Sequence, residues 1–123
     1  MANEFANAVF DAALDEIGAC TELEVRTAAS SVLIDAQVLN SANFGANGDY
    51  ASGGRERTCL VSSTNDMSSI AVGTGGLAKR IVLIDASAAD VAITELTSAV
   101  SLGSSDLVNI GTFVSRFTDP PGP

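Results

Sequence analysis

Few residues in this chain of 123 could carry catalysis. The sequence contains no histidine, which excludes a histidine general base and any Ser-His or Cys-His nucleophile pair. Its two cysteines, Cys20 and Cys59, lie far apart without a CxxC spacing, which excludes the usual Cys/His zinc sites. The opening residues lack the basic segment of a secretory signal. We therefore expect free thiols rather than a disulfide.

Acidic and glycine-rich stretches are the remaining candidates for chemistry. Asp35, Asp85 and Asp90 could act as paired carboxylates if the fold gathered them, but acids at strand ends are far more often solvated turn residues. The segment GTGGLAKR at 73–80 lacks the G-x-x-x-x-G-K-[ST] spacing of a phosphate loop. Residues 47–49, Asn-Gly-Asp, offer oxygen ligands for calcium without the EF-hand pattern. We predict a protein that is not an enzyme and has no cofactor or metal.

Charge and composition limit the partners. Six basic residues against fifteen acidic ones give a formal net charge of −9, which argues against binding nucleic acid. Apolar residues make up 46% and charged residues 17%, as expected for a globular domain with its own core. No apolar run approaches the roughly 20 residues needed to cross a bilayer. We expect a chain that folds in a cytoplasm and has no membrane partner.

One helix is predicted, at residues 1–18. Asn3 can cap its start, Glu4 complements the helix dipole in the first turn, and Gly18 can end it. Apolar residues at three- and four-residue steps form a single stripe: Ala6, Phe10, Ala13, Leu14 and Ile17. This pattern favours a helix that covers the core of its own domain. The alternative is an arm that lies on a neighbouring subunit.

After Gly18 the sequence period changes to two residues, which predicts a mainly β fold: a β-sandwich or jelly-roll-like domain over 19–118, followed by a proline-rich tail at 119–123. The predicted strands are 22–26, 32–39, 55–61, 70–72, 78–86, 90–97, 100–102, 107–110 and 112–118. The segment AKRIVLIDA at 78–86 is predicted to be the central strand, because four consecutive aliphatic residues suit a strand covered on both faces.

Residues 40–54, NSANFGANGDYASGG, are predicted to form a long loop, since four glycines and three asparagines interrupt any strand pattern. Loops of this length are usually functional or mobile. Phe44 and Tyr50 within it are either anchors for a partner or lids over the edge of the sandwich. The lid is the slightly favoured interpretation.

Both ends and the centre of the chain resemble a group of small virion proteins of tailed bacteriophages. The opening MANEFANAVFDAALDEIG at 1–18 resembles their short N-terminal helix, and GGLA at 75–78 is similar to an SGTA-like segment ahead of their central strand. DLVNIGTFVSRFTDPPGP at 106–123 is similar to their closing pattern, in which a G-x-x-V turn enters a last strand that finishes in proline. At 52–60, SGGRERTCL is more charged than that pattern.

Members of such families are capsid cement or decoration proteins, or small tail, collar and spike components. The resemblance implies a non-enzymatic structural protein of the virion, made in the host cytoplasm, that stabilises the head shell. The alternatives are a tail, collar or spike component that binds a tail protein or a host glycan, and a cellular carbohydrate-binding or adhesin-like module. We expect the major capsid protein or other virion proteins as partners. We also expect a homo-oligomer, with a trimer favoured, because thin sandwiches leave strand edges to cover. The predicted contact residues are Phe5, Phe10, Phe44, Tyr50, Pro120 and Pro121.

Overall fold

The change of period after the first helix is reproduced in a computed structural model that describes residues 7–51, 53–60 and 67–117. Its elements are α1 (Asn7–Gly18), β1 (Glu22–Arg26), β2 (Val32–Val38), a 3-10 turn (Ser41–Asn43), β3 (Phe44–Asp49), β4 (Arg55–Cys59), β5 (Ile70–Ala71), β6 (Gly76–Ile84), β7 (Asp90–Leu102), β8 (Leu107–Val108) and β9 (Phe113–Phe117). Among the described residues α1 is the only α-helix. The predicted mainly β fold with one N-terminal helix is confirmed.

The strands form three antiparallel sheets. The largest has the order β2-β1-β6-β7, the second β3-β4-β9, and the third pairs β5 with β8. Buried side chains from all three sheets and from α1 make one core cluster. In these strand orders β7 and β9 each lie at one edge of their sheet, within the described part of the chain.

The predicted central strand is β6, which lies between β1 and β7. Val82 and Leu83 are adjacent and therefore point to opposite faces, yet they are only 0% and 1% exposed. Both faces of β6 are thus covered, as four consecutive aliphatic residues predict.

Helix α1 covers the core of its own chain, as its apolar stripe predicts. Phe10, Leu14 and Ile17 are buried, and the helix packs on β3 and β4. On its polar side Asp11 receives a hydrogen bond from Arg55 at 2.9 Å, and Asp15 pairs with an Arg of the same strand. The predicted capping residue Asn3 lies outside the described residues.

Gly18 is the last residue of α1, but it does not adopt the conformation expected of a terminating glycine. A helix-terminating glycine usually adopts a positive φ, but the described glycines with positive φ are Gly53 and Gly54. A Cβ placed on Gly18 would instead lie 2.5 Å from the guanidinium carbon of Arg57. The missing side chain of Gly18 therefore leaves room for the end of the Arg57 side chain over its backbone.

The predicted loop at 40–54 is wrong, because most of it is regular structure. Asn40 caps the 3-10 turn with its side chain, which accepts from the Ala42 N–H, and β3 then pairs antiparallel with β4. Glycine and asparagine have low β propensity, so the sequence conceals this strand. Polar contacts compensate, since the Asn47 amide donates to Asp15 and Asp49 accepts from Arg55.

Strand β7 is one long strand instead of the two short pieces predicted. Its pairing with β6 shifts register between Ala78, which faces Val100, and Arg80, which faces Glu95. The extra residues at 96–99 form a bulge, and the Lys79 ammonium donates to the carbonyl oxygens of Leu96 and Thr97 there. No helix among the described residues is long and apolar enough to cross a membrane.

Candidate partner-binding groove

The three aspartates singled out in the sequence have separate environments. Asp35 is exposed on β2. Asp85 accepts hydrogen bonds from backbone N–H groups of the turn that joins β6 to β7. Asp90 accepts two hydrogen bonds from Arg26, at 2.8 and 3.0 Å, and these lower the pKa of its carboxyl group. In the described ranges no group of three acidic or cysteine side chains is arranged to hold a metal.

The glycine-rich segment uses its backbone donors inside the fold. The N–H groups of Gly73 and Thr74 both donate to the carbonyl oxygen of Leu33, at 2.9 and 3.2 Å. The segment then enters β6, a strand, instead of opening a helix. A phosphate loop needs free N–H groups at a helix N-terminus, so this segment is not built as one.

The side chains proposed as calcium ligands are likewise engaged. The Asn47 side chain bonds to Asp15 and accepts from Arg57 at 3.2 Å. Asp49 pairs with Arg55 at 2.7 Å. These contacts fasten β3 to α1 and β4.

All six basic residues of the chain lie within the described ranges, and each contacts at least one acceptor of the chain itself. The Nε atoms of Arg57 and Arg80 are nevertheless buried without a hydrogen-bond partner. The five arginines make seven ion pairs: Arg26 with Glu24 and Asp90, Arg55 with Asp11 and Asp49, Arg57 with Asp15, Arg80 with Glu95, and Arg116 with Glu56. Lys79, the only lysine, holds the β7 bulge. The hydrogen bond to Asp90, followed by the one to Glu24, raises the pKa of Arg26. The excess charge on the surface is therefore negative. Because the arginine and lysine side chains already have partners within the chain, they offer little to an anionic partner.

Two of the predicted contact residues serve the core. Phe10 and Phe44 are each 6% exposed, and Phe10 stacks on Phe117 with ring centroids 6.1 Å apart. Tyr50 is half-buried, with the guanidinium carbon of Arg116 lying 4.4 Å from its ring centroid. Of these three, Tyr50 alone keeps an accessible side chain. Phe5, Pro120 and Pro121 lie outside the described residues.

An apolar opening into the core is the main surface feature that sequence reasoning missed. This apolar groove, of about 410 Å³, is bounded by β6, β7 and residues 108–113. Its aliphatic and aromatic lining includes Ile81, Leu96, Val100, Leu102, Ile110 and Phe113. None of its lining residues is charged. The sequence did contain a signal, because residues 96–115 include a single charged residue, Asp106.

A second opening, the edge cleft, lies beside the first. It has a volume of about 590 Å³ and touches residues 91–94 of β7 and 114–117 of β9, together with the end of α1. Because alternate residues of a strand point to opposite faces, a cavity that touches four consecutive residues lies against the strand's edge. Ile93, Val114 and Phe117 are exposed apolar residues along this cleft. Thr94 lines both openings, which therefore form adjacent parts of one surface along β7.

Both cysteines are buried and free, which confirms the expected thiols in this fold. Burial, followed by the nearby Asp85, Cys59 and Glu16, raises the pKa of Cys20 to about 11. Burial also raises the pKa of Cys59. The thiolate is the reactive form, so neither residue is suited to nucleophilic chemistry at neutral pH.

The geometry thus offers an acidic surface, arginines paired within the chain, and two adjacent openings along β7. The apolar groove has no charged lining residue, whereas the lining of the edge cleft includes Glu16 and Arg116. Comparisons of the chain with protein-family models, with curated proteins and with solved structures found no match. What the protein binds therefore has to be inferred from these surfaces and from the resemblance at its ends.

Proposed function

We propose that this protein is a non-enzymatic structural protein of a tailed-bacteriophage virion. It acts as a cement or decoration protein that attaches to the head shell and stabilises it, with the major capsid protein as its main partner. One observation carries the proposal: the chain pairs its arginines with its own acidic residues and keeps a largely apolar surface along β7, where Glu16 and Arg116 are the charged lining residues. Such a surface suits attachment by shape and apolar contact. The resemblance of 1–18 and 106–123 to small virion proteins of tailed bacteriophages supports a phage particle as the partner.

The edge cleft is the part of this surface that we assign to the shell. Free strand edges offer backbone N–H and C=O groups in a row, and the exposed Ile93, Val114 and Phe117 flank them. Apolar burial stabilises by about 25 cal/mol per Å², and a standard interface buries about 800 Å² on each partner. A contact of that size at every seam raises the stability of a closed shell by mass action.

A tail, collar or spike component that binds a host glycan is the second candidate. Sugar recognition usually needs an aromatic ring with an open face. Arg116 already lies over the ring of Tyr50, and Phe113 faces into the apolar groove. These contacts favour the cement function over glycan binding.

The test is the location of the protein in purified virions. We expect labelling distributed over the head. Particles assembled without the protein should release their genome at a lower temperature than complete particles. Moderate salt should weaken attachment only slightly, because screening reduces charge interactions and leaves apolar burial intact. Labelling confined to the tail would instead support the tail or spike component. Absence from virions would refute both.

A Val114→Asp variant tests the assigned surface. It adds a charge in the edge cleft and should lose most attachment to particles that lack the protein. Val38→Asp is the matched control, since Val38 is exposed on the opposite edge strand, β2. Equal attachment of the two variants would exclude the edge cleft while leaving the virion location to be decided by labelling.

A further inference from the structure

Strand β3 contains the only Asn-Gly step of the chain, Asn47-Gly48. The side chain of an asparagine can react with the backbone nitrogen of the next residue, and glycine permits this attack most readily because it has no Cβ beside that nitrogen. A Cβ added to Gly48 would meet no atom within 4 Å, so the space beside this residue is open. We propose that Asn47 is a site of spontaneous deamidation, and that its conversion to aspartate or isoaspartate loosens the contact between β3 and α1.

The reaction consumes water and needs no other reagent. The backbone nitrogen of Gly48 attacks the side-chain carbonyl carbon of Asn47 and gives up its proton. A C–N bond forms, and the side-chain nitrogen takes up a proton and leaves as ammonia, which closes a five-membered imide. Water then adds to one of the two imide carbonyl groups and breaks one C–N bond, so the product is either aspartate or isoaspartate.

The position of β3 in the fold lets this reaction proceed through local opening. A strand holds ψ at about +135°, so β3 must leave its extended conformation before the Gly48 nitrogen can reach the side chain of Asn47. In the described part of the chain β4 is the only strand that pairs with β3, and this pairing is irregular between Phe44 and Asn47. Phe44 is also the only fully buried residue of β3. Segments with so few buried apolar contacts open at a lower free energy than the core.

The amide group of Asn47 includes a donor that a carboxylate cannot replace. Its nitrogen donates to Oδ1 of Asp15 at 3.0 Å, and its oxygen accepts from Arg57 at 3.2 Å. After deamidation an oxygen would take the place of that nitrogen, so two carboxylates would face each other and share Arg57. Isoaspartate would also add a methylene to the main chain, which disturbs the pairing of β3 with β4. Because the Asp15 side chain is 67% exposed, solvent moderates the repulsion and the fold survives it.

Asn40 is the matched comparison on the same segment. Its side chain accepts a hydrogen bond from the Ala42 N–H at 2.9 Å, and an aspartate can accept the same bond. Asn40→Asp therefore adds the charge of deamidation without removing a donor. The residue after Asn40 is Ser41, whose Cβ hinders formation of the imide.

The test of the site is peptide mapping by mass spectrometry of the purified full-length chain during incubation at mildly alkaline pH. Conversion of amide to acid should accumulate at Asn47 before it does at Asn40, and it should be faster in guanidinium chloride, which removes the strand. Gly48→Ala should slow the reaction at Asn47 several-fold, in guanidinium chloride as well, because the added Cβ hinders the attacking nitrogen. The site would be overturned if Asn47 stayed intact in the native protein while converting completely in guanidinium chloride, or if Gly48→Ala reacted as fast as the wild type.

Thermal unfolding and amide hydrogen exchange test the consequence. Asn47→Asp should lower Tm by a few degrees and quicken exchange in α1, whereas Asn40→Asp should change neither. Wild-type protein converted at Asn47 by incubation should unfold at least as early as Asn47→Asp, since part of it carries isoaspartate. Equal Tm values and equal exchange in the two variants would overturn the proposed loosening of α1.

Discussion

Replacing Arg26 with methionine should destabilise the fold by about 2 kcal/mol. The Arg26 side chain is 12% exposed and bonds to Glu24 and to both carboxylate oxygens of Asp90, which joins β1 to the start of β7. Methionine keeps the apolar stem and removes the charge. A charged hydrogen bond in a partly buried site contributes about 1.5 to 3 kcal/mol, and an exposed pair about 0 to 1. Since Glu24 is 17% exposed and Asp90 42%, most of the loss arises at Glu24.

The effect should depend on pH in a defined direction. The hydrogen bond from Arg26 lowers the pKa of Asp90 below its ordinary value of 3.8. A group whose pKa is lowered by folding stabilises the fold above its unfolded-state pKa, and this stabilisation is lost as the pH falls through the folded-state pKa. In Arg26→Met that contribution is absent at every pH. The stability difference between the wild type and the variant should therefore be largest near neutral pH and shrink below the ordinary pKa of aspartate.

Urea unfolding at neutral and acidic pH measures this difference directly. For a chain of this length about 2 kcal/mol corresponds to a decrease of about 6 to 10 °C in Tm. Arg116→Met is the control, because it removes an arginine with a more exposed side chain and should change stability little. A difference that stayed constant from neutral to acidic pH would refute the ion-pair account of Arg26, and so would an Arg26→Met variant no less stable than the control.

Two further predictions concern the space around Gly18 and the burial of the two cysteines. Gly18→Ala should change stability by less than about 1 kcal/mol, because the added methyl displaces only the flexible end of the Arg57 side chain and its ion pair with the exposed Asp15. Gly48→Ala, whose Cβ would meet no atom within 4 Å, is the comparison in thermal unfolding. A much larger loss in Gly18→Ala alone would show that Arg57 cannot move aside. Cys20 and Cys59 should react with a thiol reagent only after unfolding, because both are buried and burial raises the pKa of each. Rapid reaction of either in the native protein would contradict the burial described.

Local sequence pattern was sufficient for much of the framework. The alternation at 22–26 and the aliphatic run within 78–86 correspond to β1 and β6, and the stripe of Phe10, Leu14 and Ile17 corresponds to the buried face of α1. In these segments the apolar side chains whose spacing favours a helix or a strand are also the side chains that the fold buries. The spacing of apolar residues therefore predicts the secondary structure correctly.

The errors arose where tertiary contacts override local preference. Strand β3 is rich in glycine and asparagine, and it exists because β4 pairs with it and supplies arginines to its polar side chains. Thr97, Ser98 and Ala99 resemble a break between strands, but the ammonium of Lys79 holds them as a bulge within β7.

The candidate site was harder to predict than the fold. The apolar groove depends on residues 108–113 lying across from β7, which no local pattern specifies. The ion pairs have the same origin, since Arg26 and Asp90 are remote in sequence. The sequence does show which residues lack charge, but only the fold shows that they border one opening.

The position of the cations has a practical consequence for measuring stability. Trypsin cleaves after lysine and arginine, and every such residue of this chain lies within a strand: Arg26 in β1, Arg55 and Arg57 in β4, Lys79 and Arg80 in β6, and Arg116 in β9. A protease needs an extended, unpaired segment in its active site, so cleavage requires these strands to separate. At low trypsin concentration the digestion rate should therefore follow the population of the opened protein. Trypsin digestion would then report how often the sheets of the isolated protein open. The same measurement on an assembly would show whether assembly reduces that opening.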